Sequence, residues 1–185
     1  MTPIASLARL NRRYACSAQW LDQWIAPLAL LLMRLWVAIA FWHAGMVKIA
    51  DPEGTKALFE NLYHVPILAP AIAAALGTWV ELVTPWLLGL GIAGRVTAMF
   101  LFIYNLLAVI SYPDLWPHGF WSGLANWGDF PDHKVWAMML LAVVARGPGR
   151  YSVDSILGRL WHRQTAEIDP DIDKYQYGPD QASGK

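Results

Sequence analysis

Four apolar runs, separated by polar or Pro- and Gly-broken segments, dominate the hydrophobic pattern of this chain. They predict four membrane-spanning helices at residues 27–50, 67–92, 96–110 and 134–145. The fourth run is short, so it would need its flanks or tilted neighbours to reach across a bilayer. We therefore expect an all-α integral membrane four-helix bundle over residues 26–146.

The segments that flank these runs have their own patterns. Residues 1–25 are amphipathic and basic, and residues 147–163 alternate apolar and charged positions after a helix-capping Ser152, so both predict interfacial amphipathic helices. Residues 111–133 are too rich in aromatic, Pro and Gly residues for either a solvated linker or a helix, and predict an outer loop that folds over the bundle. The polar stretch 164–185 predicts a disordered tail.

Composition supports a membrane protein and excludes several other classes. The chain is 56% hydrophobic and 15% charged, and it contains 11 Trp. Its formal net charge of zero gives no reason to expect a nucleic-acid partner. The single cysteine, Cys16, cannot form an internal disulfide, and no hydrolase, kinase or haem motif occurs. We expect no metal site and no self-sufficient catalytic site.

The distribution of basic residues predicts the orientation. Eight arginines flank the spans on one side of a four-span arrangement, whereas Lys48, Lys56 and Lys134 fall on the other. Basic loops stay in the cytoplasm. Both termini are therefore predicted to be cytoplasmic and the aromatic loop to lie outside.

Three polar side chains interrupt three different spans. Counted from the expected boundary, Arg34, Glu81 and Asn105 lie at depths of about 12, 16 and 15 Å. An Arg34–Glu81 pair with Asn105 as a neutral neighbour would lower the cost of burying each charge. Two interpretations stay open: a structural staple between helices, or a polar floor for a ligand headgroup or proton path.

A second set of residues is predicted at the outer rim. Lys48 shares a helix face with Arg34, Phe41 and Gly45 but lies at the other end of the span, where its side chain can reach the interface. His118, Trp121 and Asp129 of the outer loop complete this rim. Their irregular spacing is not a metal-ligand pattern.

The order and spacing of several motifs resemble the DoxX family of small four-helix bacterial membrane proteins, over about residues 30–155. The residues that carry the resemblance are Arg34, Phe41, Gly45, Lys48, Phe59, Pro66, Glu81, Gly89-Leu-Gly91, Gly94-Arg95, Gly147-Pro148-Gly149, Ser152 and Asp154. The resemblance implies a multi-pass protein of the bacterial inner membrane. It also implies a link to the DoxD subunit of thiosulfate:quinone oxidoreductase and to membrane redox or stress-related complexes. If the chain takes part in an enzyme at all, the resemblance implies at most a membrane subunit of an oxidoreductase.

Two hypotheses for the function follow. In the first, the chain is a redox-complex subunit that binds a quinone or similar lipid-soluble carrier between its helices, with Arg34, Glu81 and Asn105 as polar contacts and the loop aromatics closing the site. In the second, it is a noncatalytic anchor, or a small solute or metal transport-type module, for a soluble partner. Beyond membrane lipid, the expected partner is a soluble or membrane redox protein, and a homo-oligomer stays open.

Overall fold

The computed structural model describes residues 15–65, 67–126 and 128–168, with side chains as far as Gln164. The helices within these residues are α1 (Ala15–Ala50), α2 (Pro52–Asn61), α3 (Pro70–Leu90), α4 (Gly94–Ser111), α5 (Phe120–Ala125), α6 (Pro131–Arg146) and α7 (Val153–Ile168). Most of the predicted N-terminal amphipathic segment, Pro66 and the tail from residue 169 lie outside the described residues.

Helix α1 begins upstream of its predicted start. The sequence predicts that the span opens at Pro27, but the helix already runs from Ala15 and passes through a π-helical turn at Leu21–Ile25. In that turn the amide of Ala26 donates to the carbonyl of Leu21, which widens the helix just before the proline. A proline inside a regular α-helix clashes with the preceding turn, so the wider turn lets the helix continue.

The four long helices pack in a ring. Helix α1 lies against α3, α3 against α4, α4 against α6, and α6 returns to α1, while the short α2 packs on α3. We call the end that holds Ala50, Pro70, Ser111 and Pro131 the loop end. The opposite end, which holds Leu90, Gly94 and Arg146, is the arginine end. A core of Val37, Phe41, Leu88, Leu101, Leu140 and Val143 fills the centre.

The outer surface of this ring is apolar. Large side chains on three helices are more than half exposed, among them Trp36, Ile39, Trp79, Trp86 and Val96. Helices α1, α3 and α4 are long and apolar enough to cross a membrane, whereas α6 has 16 residues. A surface of this kind suits lipid rather than water as the surrounding solvent. The chain is a helical membrane protein with several candidate spans.

The remaining segments differ in detail from the sequence pattern. The predicted outer loop contains a 3-10 turn at Pro113–Leu115 and the helix α5, so part of it is helical. Residues 147–152 form a turn, and α7 begins at Val153 and continues to Ile168, past the predicted start of a disordered tail. After this turn α7 starts at the arginine end, where Asp154 accepts hydrogen bonds from the connection between α3 and α4.

Candidate functional site

The structure places Arg34, Glu81 and Asn105 in three separate polar groups. Arg34 lies at the arginine end, Glu81 pairs with Lys48 between α1 and α3, and Asn105 contacts α6. The expected Arg34–Glu81 pair with Asn105 beside it is therefore corrected.

Arg34 is a structural tie at the arginine end. Its guanidinium is fully buried and donates from Nη1 to the carbonyl of Leu88 at 3.5 Å and from Nη2 to the carbonyl of Tyr151. It thereby joins α1 to the last turn of α3 and to the segment before α7. Gly91 makes room for it, since a Cβ at this residue would lie 2.1 Å from Nη1. The arginine is held by backbone carbonyls.

Asp154 strengthens the same junction. Its carboxylate accepts hydrogen bonds from the amides of Ala93 and Gly94, at 2.9 and 2.7 Å, while its own amide donates to the carbonyl of Gly91. The first-turn amides of α4 are thus satisfied by a negative charge, which also favours the helix dipole. The motif residues at this end fix helix positions.

Lys48, Glu81 and Tyr104 form the second group. Lys48 donates to Oε2 of Glu81, and the Tyr104 hydroxyl donates to Oε1 at 2.8 Å. The two charged side chains are 16% and 9% exposed. Gly45 lets α1 approach, since a Cβ there would lie 3.0 Å from the Glu81 backbone. Lys48 lies near the loop end of α1, but its ammonium pairs with Glu81 inside the bundle instead of reaching the interface.

A small cavity of about 210 Å³ adjoins this ion pair. Tyr63 lines it and stacks between Phe59 and Tyr112, with ring centroids 4.6 and 4.9 Å away. Burial, with the charge of Glu81 as a second cause, raises the pKa of the Tyr63 phenol, so it stays a neutral donor. Both oxygens of Glu81 already accept hydrogen bonds from the protein, which leaves this group largely self-satisfied.

The longer α1 explains why the predicted pairing fails. Depths counted from Ala26 and Ile92 assume that both residues mark one boundary, but α1 extends past that point to Ala15. In the observed antiparallel register, Arg34 lies beside Leu88 and Gly91, whereas Gly45 lies beside Glu81. Arg34 is thus seven to ten residues along α3 from Glu81, or about 10–15 Å.

Asn105 belongs to the third group, with His133 of α6. Its amide nitrogen donates to the His133 carbonyl at 3.0 Å, and its Oδ1 lies 2.8 Å from Nδ1 of the imidazole. The first bond fixes the amide orientation, so Oδ1 faces the ring as an acceptor and Nδ1 carries the hydrogen. The other ring nitrogen, Nε2, has no protein partner in the described part of the chain.

Beside this pair lies a cavity of about 430 Å³ between α4 and α6, which we call the α4–α6 cavity. Its walls are apolar except for Asn105, His133 and Lys134, and Phe120 and Phe130 cover it from the loop end. The ammonium of Lys134 donates to the carbonyls of Gly123 and Asn126. The exposed Leu106, Leu124, Met138 and Leu141 also line the cavity, so it is open towards the lipid-facing surface.

The predicted loop residues lie at the loop end. His118 and Trp121 are exposed, whereas Asp129 is 8% exposed, with its Oδ2 3.6 Å from Nδ1 of His118. A further cavity of about 410 Å³, the acidic cavity, is lined by Asp114, Asp129 and Asp132 together with His133 and Trp136. Within the described residues, no three His, Cys, Asp or Glu side chains come together in a metal-binding group.

The sequence pattern did not identify two residues of these groups, Tyr104 and His133. Tyr104 precedes Asn105 by one residue, and the turn of about 100° between them points Tyr104 at Glu81 and Asn105 at α6. His133 was assigned to the outer loop. Pro131 was the signal for its real position, because proline favours the first turn of a helix and so predicts that α6 begins there.

Comparison with known proteins agrees with the motif pattern. The family model described as DoxX matches residues 29–114, from within α1 to the turn after α4. This segment of the chain, a little under half of its length, is therefore similar to the DoxX family. No curated protein and no solved structure matches the chain. The DoxX segment contains Arg34, Lys48, Glu81 and Asn105, whereas His133 and the helices α5–α7 follow it.

Proposed function

We propose that this DoxX-like membrane protein binds a quinone, or a similar lipid-soluble carrier, in the α4–α6 cavity. The observation that supports this most is an apolar cavity of about 430 Å³ with two convergent polar groups, Asn105 and His133. Small-molecule sites typically combine such a volume with apolar walls and a few polar contacts. Glu81 and Arg34, two of the contacts expected from the sequence, have no place in this site.

The walls of the cavity suit each part of such a carrier. Phe120 and Phe130 stack with each other, with ring centroids 6.2 Å apart. A planar carrier ring would lie between this aromatic pair and the wall formed by α4 and α6. The imidazole of His133 supplies a hydrogen-bonding nitrogen for a ring oxygen. An isoprenoid tail would extend past Leu106 and Met138 into the lipid. Moving this apolar chain from the cavity into lipid costs little free energy, because neither environment contains water.

In this proposal the chain is one subunit of a redox or stress-related complex in the bacterial cytoplasmic membrane, with both termini in the cytoplasm. Electrons would be exchanged with a soluble or membrane redox partner, and the chain itself would hold and orient the carrier. The competing function, a noncatalytic anchor or transport-type module, makes no use of a carrier.

Two matched variants test the proposal. Ala137 lines the α4–α6 cavity, so Ala137→Phe should fill part of it; Ala75 lines a surface groove beside α2 and is exposed, so Ala75→Phe serves as the control. Each protein is purified in mild detergent from bacterial membranes, and its bound isoprenoid quinone is measured by mass spectrometry. We expect quinone with the wild type and Ala75→Phe and at least a tenfold loss with Ala137→Phe. Equal amounts in all three, or none in any, would contradict the proposal.

A further inference from the structure

His133 lies between two cavities and lines both of them. It lines the apolar α4–α6 cavity on one side and the acidic cavity on the other. The acidic cavity lies at the loop end, where Asp114 and Asp132 are exposed to solvent. The histidine can therefore exchange protons with water while its ring borders an apolar binding space.

Asn105 restricts what the imidazole can offer to a ligand. Because Asn105 Oδ1 holds the hydrogen on Nδ1, the neutral ring presents Nε2 as a hydrogen-bond acceptor. A protonated ring keeps the same bond to Asn105 and presents Nε2 as a donor. Trp136 contacts the ring edge-on, with centroids 4.9 Å apart, and limits its rotation.

We infer that His133 determines which redox form of the carrier the site prefers, an inference that rests on the proposed function. The reduced carrier has hydroxyl groups, which donate to the neutral imidazole. The oxidised carrier has carbonyl groups, which accept from the protonated imidazole. The site therefore binds the reduced form better at high pH and the oxidised form better at low pH, and Asn105 makes Nε2 the nitrogen that switches.

Among the titratable groups that line the two cavities, the imidazole of His133 is the one whose ordinary pKa lies nearest neutral pH, and burial lowers that pKa. The charged groups that face it are Asp132 and Lys134 on its own helix and Asp114 and Asp129 across the acidic cavity; α4 contributes the neutral Asn105. Aspartate and lysine ordinarily titrate well below and well above pH 5.5–8.5. A change in preference within this range is therefore assigned to the imidazole.

The test compares two forms of one probe, decylubiquinone and its reduced quinol, by anaerobic isothermal titration calorimetry in detergent between pH 5.5 and 8.5. Loss or gain of one charge-assisted hydrogen bond should change the ratio of the two dissociation constants by about tenfold. We expect the ratio of oxidised to reduced Kd to rise with pH in the wild type. The exposed His118 is the matched control, and His118→Asn should behave like the wild type.

Two substitutions should alter the pH response in different ways. His133→Asn should bind both forms with a ratio that no longer changes with pH. Asn105→Asp places a carboxylate beside Nδ1, which favours the protonated ring, so the preference for the oxidised form should persist to higher pH. This second variant keeps the test decisive even if His133→Asn does not fold.

The outcomes separate the inference from the function on which it rests. Binding of both probes with a constant ratio, or with an unchanged pH response in His133→Asn or Asn105→Asp, would overturn the inference and leave the proposed function standing. Binding of only one form at every pH would also overturn the inference alone, whereas failure of both probes to bind at any pH would overturn the inference and the proposed function.

Discussion

The two halves of the bundle use polar side chains in opposite ways. In the α1–α3 half, Arg34 donates to backbone carbonyls and Lys48 pairs with Glu81, and glycines at 45 and 91 bring the chain close around them. In the α4–α6 half, Asn105 bonds to His133, which lines a large apolar cavity and whose Nε2 has no protein partner in the described residues. The buried arginine and the Lys48–Glu81 pair therefore bond within the protein, whereas the neutral Asn105–His133 pair borders the candidate site.

The largest expected effect comes from breaking the ion pair of the scaffold half. Glu81→Leu leaves Lys48 buried without its counter-ion and should destabilise the fold by about 3–5 kcal/mol. Adding Lys48→Met should restore most of that loss, because both charges are then gone. Reversible unfolding in mixed micelles measures each variant. The control cycle combines Arg34→Met with Glu81→Leu, and their changes in the free energy of unfolding should add within about 0.5 kcal/mol. Strong coupling between Arg34 and Glu81 would contradict the observed helix register.

A smaller loss is expected from Gly91→Ala at the arginine end. The residue has a φ of +69°, and the new methyl group would meet the Arg34 guanidinium, so we expect about 2–4 kcal/mol of destabilisation. Gly158→Ala is the control, because nothing lies near that glycine in α7 and alanine favours a helix. Thermal unfolding followed by circular dichroism compares the two. Equal melting temperatures would show that Gly91 is not needed for the junction.

The smallest effect on stability is expected in the cavity half. His133→Asn removes a ring whose Nε2 has no protein partner in the described residues, so only about 1 kcal/mol should be lost with the bond to Asn105. Tyr104→Phe, which removes a hydroxyl bonded to the Glu81 carboxylate, should cost more, about 1.5–3 kcal/mol. A larger loss of stability from His133→Asn than from Tyr104→Phe would contradict the assignment of the structural role to the α1–α3 half.

The sequence predicts the helical membrane class and the similarity to the DoxX family over residues 29–114, because apolar length and motif order are local properties of the chain. It also identifies Arg34, Glu81 and Asn105 as buried polar residues. Their partners depend on how far one helix slides along another, and the sequence pattern placed the start of α1 too late for that register to be predicted. The facing of Tyr104 and Asn105 depends on rotation about α4, and the role of His133 depends on where α6 begins. Such quantities are fixed by packing between helices.

Photolabelling with an azido-quinone tests the central claim most directly, because the label reports which half of the bundle holds the ring. The protein in native-like membranes is illuminated with the probe, digested, and the modified peptides are identified by mass spectrometry. The account predicts labels on residues that line the α4–α6 cavity, chiefly within 102–109 and 120–141, and competition by unlabelled quinone. Competable labels concentrated around Tyr63 and Glu81, beside the Lys48 ion pair, would contradict it.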